Sequence, residues 1–178
     1  MTIVIPGMVT ISILSLFYCS MLPETGRKAR MQAFERQYIA HRGFHDNRSE
    51  CPENSLPAFE RAIQMGYGIE LDVQLTKDGV PVVFHDWDLK RAAGVDRKIR
   101  DCTFEELQSY RLFGSSQTIP AFEAVLELAD GRTPLIIELK AEIVHRELCE
   151  KCAALLDCYP GEYCIESFSP LALGWFKC

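Results

Sequence analysis

Ile69-Glu70-Leu71-Asp72-Val73 alternates apolar and acidic residues, and a second run, Leu135-Ile136-Ile137-Glu138-Leu139-Lys140, repeats the arrangement farther along the chain. Side chains alternate faces along a strand, so Ile69, Leu71 and Val73 point one way and Glu70 and Asp72 the other; Glu138 and Lys140 share a face in the same manner. In a parallel sheet both faces are covered, which would hold three carboxylates and an ammonium in a water-poor place. Such a concentration of charge is costly unless a metal ion or an anion completes the balance. Two histidine-bearing turns, His41-Arg42-Gly43 and His85-Asp86, also follow strand-like runs.

Working outward, Tyr38 to His41 reads as a short strand and Arg42 to Asn54 as a polar loop. Ser55 to Met65 reads as a helix, because Leu56, Phe59, Ala62 and Ile63 keep helical spacing and Gly66 suits its end. Strand, loop, helix, strand is the order of a parallel βαβ unit. Between Asp72 and Val80-Pro81-Val82-Val83-Phe84-His85 there are too few residues for a helix. Seven extended residues span about 23 Å, so Val73 to Gly79 is expected to carry the chain back, with Lys77-Asp78-Gly79 as a turn. The next strand would then run parallel and bring His85 to the rim that holds Asp72.

Thr103 and Glu106 make a capping-box pattern at a helix start. Pro120 to Leu128 predicts another helix, Leu135 to Lys140 a strand, Glu142 to Asp157 a helix and Tyr163 to Phe168 a further strand. About five strand positions interleaved with helices, with charged residues recurring at strand ends, fit a TIM-type (β/α) barrel better than an open sheet; its site would lie at the C-terminal rim of the strands. Neither a G-x-G-x-x-G nor a Walker sequence is present, which disfavours a nucleotide-binding Rossmann fold.

The chain has 178 residues, 48% of them hydrophobic, and a formal net charge of −6, enough for one sizeable core and without the basic face that nucleic acid requires. Residues 1–22 carry no charge and reach the length of a transmembrane helix. Arg27, Lys28 and Arg30 follow closely, so the positive-inside bias would place the downstream domain in the cytoplasm, membrane-anchored through the N-terminal helix. A cleaved signal peptide is the alternative, but no basic start or clear small-x-small cleavage site supports it.

The expected organisation is therefore a transmembrane anchor over 1–22, a linker or short helix over 23–36 and a barrel over 37–178. A closed barrel takes about 250 residues, so about five of eight strands fit and the barrel is expected to be incomplete, truncated at its C-terminal side. Of the eight cysteines, Cys149 and Cys152 form a C-x-x-C inside a helical pattern with an apolar stripe. With no second pair at zinc-finger spacing, they read as core packing.

In order along the chain stand His41-Arg42-Gly43, Pro52-Glu53-Asn54-Ser55, Glu70-x-Asp72, Thr76-Lys77-Asp78-Gly79, His85-Asp86 and Glu138-x-Lys140. This series closely resembles the glycerophosphodiester phosphodiesterase family from about Ile39 to Lys140, with a looser continuation through Ile165-Glu166-Ser167-Phe168. The resemblance implies a TIM-type barrel that hydrolyses glycerophosphodiesters to glycerol 3-phosphate and an alcohol with a divalent ion. Carried over by position, His41 and His85 are the acid and base, Glu70, Asp72 and Glu138 hold the metal, and Arg42 and Lys140 contact the phosphate. The sequence departs from the family at Gly66-Tyr67-Gly68, where Gly-Ala-Asp is usual.

The chemistry of these residues agrees with such roles. Carboxylates are the hard oxygen ligands that Mg²⁺ or Ca²⁺ prefers, and no His/Cys cluster calls for zinc. Arg42 and Lys140 suit non-bridging phosphate oxygens, and paired imidazoles suit proton transfer near neutral pH. The attacking oxygen is either water or a neighbouring glycerol hydroxyl that first forms a cyclic phosphate.

Several residues keep two readings. Asp86 either orients His85 or caps the following turn, with the turn preferred because sequence neighbours rarely share a face. Glu53 and Asn54 line the pocket, or Asn54 or Ser55 caps the helix. Trp87 and Phe44 form an apolar wall for the alcohol or simply pack. The expected function is metal-dependent phosphodiester hydrolysis in glycerophospholipid breakdown. The alternatives are a non-catalytic membrane-tethered phosphodiester-binding module and a phospholipase-type diesterase acting on intact lipids.

Overall fold

The computed structural model describes residues 28–141 and 146–177. Its centre is a five-stranded sheet: β1 (Ile39–His41), β2 (Gly68–Leu75), β3 (Pro81–Val83), β4 (Leu135–Leu139) and β5 (Tyr163–Glu166). Four strands run parallel in the order β1-β2-β4-β5, and β3 pairs antiparallel with the far end of β2. Among the described residues this is an α/β fold with a predominantly parallel sheet, as the alternating strand and helix patterns predict.

The parallel course expected for the segment ending at His85 is corrected. β2 does not stop at Val73 but continues to Leu75, and the chain reverses at once. Thr76 N–H donates to Val80 O (3.1 Å), Val80 N–H donates to Thr76 Oγ1 (2.9 Å), and Thr76 Oγ1 donates to Asp78 Oδ1 (2.6 Å). Gly79 takes φ +75°, which a side chain would resist. The turn closes a hairpin, with Val73 opposite Val83 and Leu75 opposite Pro81, instead of an extended return. His85 still reaches the level of Asp72, because Phe84 N–H donates to Asp72 O (2.9 Å).

β2 is buried on both faces, as a central strand should be. Ile69, Leu71 and Val73, with Leu135, Ile137 and Leu139 of β4, are fully buried against Phe59, Phe122, Val125, Leu148, Cys149 and Cys152 from the surrounding helices. Each large apolar side chain removed from water in this way contributes about 1.5–3 kcal/mol before ordering costs. The expected packing role of Cys149 and Cys152 agrees with their burial as free thiols on the helix Arg146–Leu156. Of the expected Glu142 to Asp157 helix, residues 142–145 lie outside the described residues.

Helix Leu56–Gln64 connects β1 to β2. Ser55 is its N-cap, its hydroxyl accepting from Ala58 N–H, and Pro57 lies in the first turn, where its missing N–H costs nothing. The chain between β3 and helix Phe122–Ala129 builds a second apolar cluster from Val82, Phe84, Leu89, Ile99, Leu107, Leu112 and Ile119. Helix Phe104–Leu107 starts there with the predicted capping box of Thr103 and Glu106. This cluster supports the helical turn Lys90–Ala93, whose Ala92 is buried in it together with the preceding Leu89.

The expected anchor over 1–22 lies outside the described residues, and among those described no helix is long and apolar enough to cross a membrane. The membrane-anchored placement read from hydropathy and flanking charge is therefore withdrawn. An apolar stretch long enough to span a bilayer is a statement about composition, and among the described residues no spanning helix accompanies it.

Candidate active site at the strand rim

The site begins with the pairing of β2 and β4. Asp72 sits opposite Glu138 in register and Glu70 opposite Ile136. Period-two alternation puts Glu70, Asp72 and Glu138 on one face, where a ligand oxygen from each lies within 4.8 Å of the others. Asp72 is fully buried and Glu70 nearly so. Lys140, just past β4, places Nζ 3.0 Å from Asp72 Oδ1 and 2.9 Å from Glu138 Oε1.

β1 delivers the second part. His41 ends the strand opposite Glu70, with Nε2 3.8 Å from Glu70 Oε2. The chain then turns sharply: Arg42 adopts φ +58° and Gly43 φ +81°. A Cβ on Gly43 would meet the Ala58 backbone carbon at 2.9 Å, so only glycine lets this turn settle on the start of the helix. The turn aims Arg42 at the acidic face: its N–H donates to Glu70 Oε2 (3.0 Å), and Nε lies 3.5 Å from Asp72 Oδ2. Asn54, also in the left-handed region, donates through Nδ2 to Asp72 Oδ2 (2.9 Å). Helix capping thus falls to Ser55, and Asn54 holds a site carboxylate.

All seven residues picked from sequence therefore stand at or beside one rim. Glu70, Asp72, Glu138, Arg42, Lys140 and His41 interact directly, and His85 follows Phe84, whose N–H bonds Asp72 O at the same end of the sheet.

Electrostatics sets these groups apart. Burial, then the charges of Asp72 and Glu138, push the Glu70 carboxyl up to about 7 against the N–H and charge of Arg42. Burial and the neighbouring Arg42 charge lower the pKa of His41, outweighing the opposing pull of Asp72. Its ring is thereby favoured as a neutral base.

Asp86 carries the role that sequence alternation disfavoured. His85 Nδ1 lies 2.6 Å from Asp86 Oδ1. Burial would raise the pKa of Asp86, but hydrogen bonds from Arg91 and His85 lower it instead. An ionised carboxylate only accepts, so Nδ1 carries the proton and Nε2 is left for chemistry. The two neighbours meet because β3 ends at Val83, and beyond it strand alternation no longer applies.

Three residues of the site were not singled out by pattern. Gln74 is buried and donates through Nε2 to Phe84 O (2.7 Å) and Asp86 O (2.8 Å), bracketing His85. Its position two residues beyond Asp72 on the same alternating face was a usable signal. Arg91 and Asn47 both bond Glu53, and no local pattern marks either. Phe44 packs edge-on to Tyr67, with centroids 5.6 Å apart, beneath the Arg61 guanidinium, which favours its packing role. Trp87 is partly exposed.

The donor set fits a hard divalent cation. Its oxygens converge, Asp72 Oδ1 and Glu138 Oε1 are buried with the single ammonium of Lys140 between them, and burial together with the charges of Asp72 and Glu138 raises Glu70.

The fold and site together define a class of α/β protein that gathers acidic residues, imidazoles and cations at the ends of parallel strands. Residues 41–159 match the model of the glycerophosphoryl diester phosphodiesterase family, and the chain belongs to that family. It is 44% identical over 109 residues to a glycerophosphodiester phosphodiesterase of Bacillus altitudinis, covering 57% of this chain and 43% of that protein. It is 32% identical over 170 residues to human lysophospholipase D GDPD1, covering 88% of this chain and 51% of that one. Among solved structures it is similar to an Oleispira antarctica phosphodiesterase in complex with the product sn-glycerol-3-phosphate, with a TM-score of 0.65, 28% identity and coverage of 76% of this chain and 60% of the other. The chain spans about half the length of the curated relatives it matches.

Proposed function

We propose that this chain hydrolyses glycerophosphodiesters to glycerol 3-phosphate and an alcohol, with Glu70, Asp72 and Glu138 holding a divalent cation, Mg²⁺ or Ca²⁺. The observation that carries this reading is the convergence of those carboxylates within 4.8 Å beside His41. The parallel sheet is read as a segment of a TIM-type barrel, in keeping with the family and with a site at the C-terminal rim. A cation bound by the carboxylates would supply charge stabilisation to the phosphoryl oxygens.

The protein's own groups do the rest. Arg42 and Lys140 bind non-bridging oxygens of the diester and orient it. One imidazole removes the proton from the attacking oxygen, of water or of a neighbouring glycerol hydroxyl. The other gives a proton to the alcohol oxygen as its bond to phosphorus breaks. The lowered pKa of His41 favours it as the base, and Asp86 engages His85 through Nδ1, which leaves Nε2 to serve as the acid. The step leaves one proton more on the base and one fewer on the acid; hydrolysis of the cyclic phosphate, where one forms, or exchange with solvent returns both rings to their starting states.

A second reading, a diesterase acting on acylated glycerophospholipids, is favoured by the likeness to human lysophospholipase D, which runs over most of this chain. Comparing glycerophosphocholine with lysophosphatidylcholine as substrate separates the two. The purified chain, given glycerophosphocholine and Mg²⁺ or Ca²⁺, is expected to release glycerol 3-phosphate, and EDTA to abolish the release. Full activity after replacement of both His41 and His85 by Ala would overturn the proton transfers. Saturable binding without product would replace the enzyme by a binding module.

A further inference from the structure

We propose that Arg91 is a positioning residue that sets the His85 imidazole through Asp86, anchored on its other side by Glu53. The inference rests on the phosphodiesterase reading only for the consequence of that positioning, since the geometry is independent of it. Arg91 Nε donates to Asp86 Oδ2 (2.6 Å) and Nη2 to Asp86 Oδ1 (3.1 Å). Nη1 donates to Glu53 Oε2 (3.0 Å) and Nη2 to Glu53 Oε1. One planar guanidinium thus holds two carboxylates, Asp86 five residues before it in the chain and Glu53 38 residues before it.

Each carboxylate leads to a group of the site. Asp86 Oδ1 takes His85 Nδ1 at 2.6 Å, and Glu53 Oε1 also accepts from Arg42 Nη1 at 3.0 Å. Asn47 Nδ2 adds a bond to Glu53 Oε2 (2.9 Å), so Glu53 is tied from three sides. Arg91 itself lies 5.2 Å from the centroid of the Phe113 ring and rises from the helical turn Lys90–Ala93, which the second apolar cluster supports. Gln74 fixes the backbone on both sides of His85. With the backbone held by Gln74 and the ring by Asp86, what remains free is the Asp86 carboxylate, and Arg91 is the group that stops it turning. Lysine cannot replace it: an ammonium is a single point and cannot present parallel N–H pairs to both carboxylates.

The test uses the full chain with Arg91→Lys and Arg91→Ala. Steady-state turnover of glycerophosphocholine is expected to lose kcat by about tenfold or more, while KM stays within about threefold, because the imidazole is displaced whereas Arg42 keeps its bonds to Glu53 and Glu70, and Glu53 its bond to Asn47. Millimolar guanidinium should restore part of the Arg91→Ala loss. Asp86→Asn combined with Arg91→Ala should be no slower than Asp86→Asn alone, as expected of two residues acting along one path. Independently of turnover, the ¹H–¹⁵N spectrum of the His85 ring should show one Nδ1-protonated form in the parent and an averaged signal in both variants. If Arg91→Ala does not fold, Arg91→Lys and Arg91→Gln carry the same readouts.

An unchanged His85 ring spectrum with unchanged kcat in a folded Arg91 variant would overturn the inference. A parent chain that turns over no diester would defeat the phosphodiesterase reading alone, and the ring spectrum would then decide the role of Arg91.

Discussion

Glu70 and Glu53 are both carboxylates packed away from water beside Arg42, yet their environments drive them in opposite directions. Glu70 faces two other carboxylates, and burial together with their charge holds its carboxyl up at about 7. At Glu53 burial pulls the same way, but the hydrogen bonds and charge of Arg91, with Asn47 and Arg42, outweigh it and hold the carboxyl down at about 2. The difference teaches that burial alone does not settle the state of a carboxylate; the count of partners does. The strand rim is left short of positive charge and is fitted to receive a cation. The knot around Glu53 is closed and acts as framework.

Replacing the carboxylate of the closed region gives the largest effect. Glu53→Gln leaves Arg91 and Arg42 without their shared anion and should destabilise the chain by about 2–3 kcal/mol, less than a fully buried pair because Arg91 remains partly in contact with solvent. Urea unfolding measures it. The sign with pH follows from the depressed pKa: the stability that Glu53 contributes is present above the ordinary carboxylate value of 4.5 and is lost as pH falls toward about 2. Glu53→Gln should therefore flatten the acid limb of the stability curve, and an unchanged limb would assign acid unfolding to other groups.

The open region responds to cations instead. With its pKa raised to about 7, Glu70 favours the fold fully below 4.5, and that contribution is lost as pH rises through about 7, where the carboxylate ionises beside Asp72 and Glu138. A divalent cation reverses the balance. Its affinity should weaken by about tenfold per pH unit below 7, because binding must then release the proton held by Glu70. Titration calorimetry with Mg²⁺ or Ca²⁺ in buffers of different ionisation enthalpy reads both quantities. Glu70→Gln should remove the pH dependence while Glu53→Gln leaves it in place; the opposite pattern would erase the contrast between the two regions.

The smallest effect sharpens the comparison. Phe113→Leu keeps apolar contact but removes the aromatic face under Arg91, and should cost about 0.5–1 kcal/mol in thermal or urea unfolding. Cation affinity at the rim should not move.

Much of the rim was legible before any coordinates. Alternation in Ile69 to Val73 and in Leu135 to Lys140 placed Glu70, Asp72, Glu138 and Lys140 on common faces, and parallel pairing in register brought those faces together. Ser55 and Thr103 revealed their helix starts through local hydrogen-bonding chemistry. The direction of β3 was misread because a tight turn and an extended return differ only in how Thr76 and Val80 bond each other. For Asp86 both roles stood open, and the turn was preferred only because alternation was applied past the end of the strand. Arg91 could not be found at all, since its partners lie in a loop far earlier in the chain and in a turn shaped by the second apolar cluster.

By itself the sequence determined which residues form strands and helices, which side chains share a face, and the chemistry available at the strand ends. These follow from backbone periodicity and short-range hydrogen bonding, which a few neighbouring residues specify. Only the tertiary structure decided that β2 folds back into β3, that Asp86 orients His85, and that one rim is left short of positive charge while the Glu53 knot is neutralised. Those outcomes depend on which distant groups meet out of water, where electrostatic interactions strengthen and every missing partner is felt.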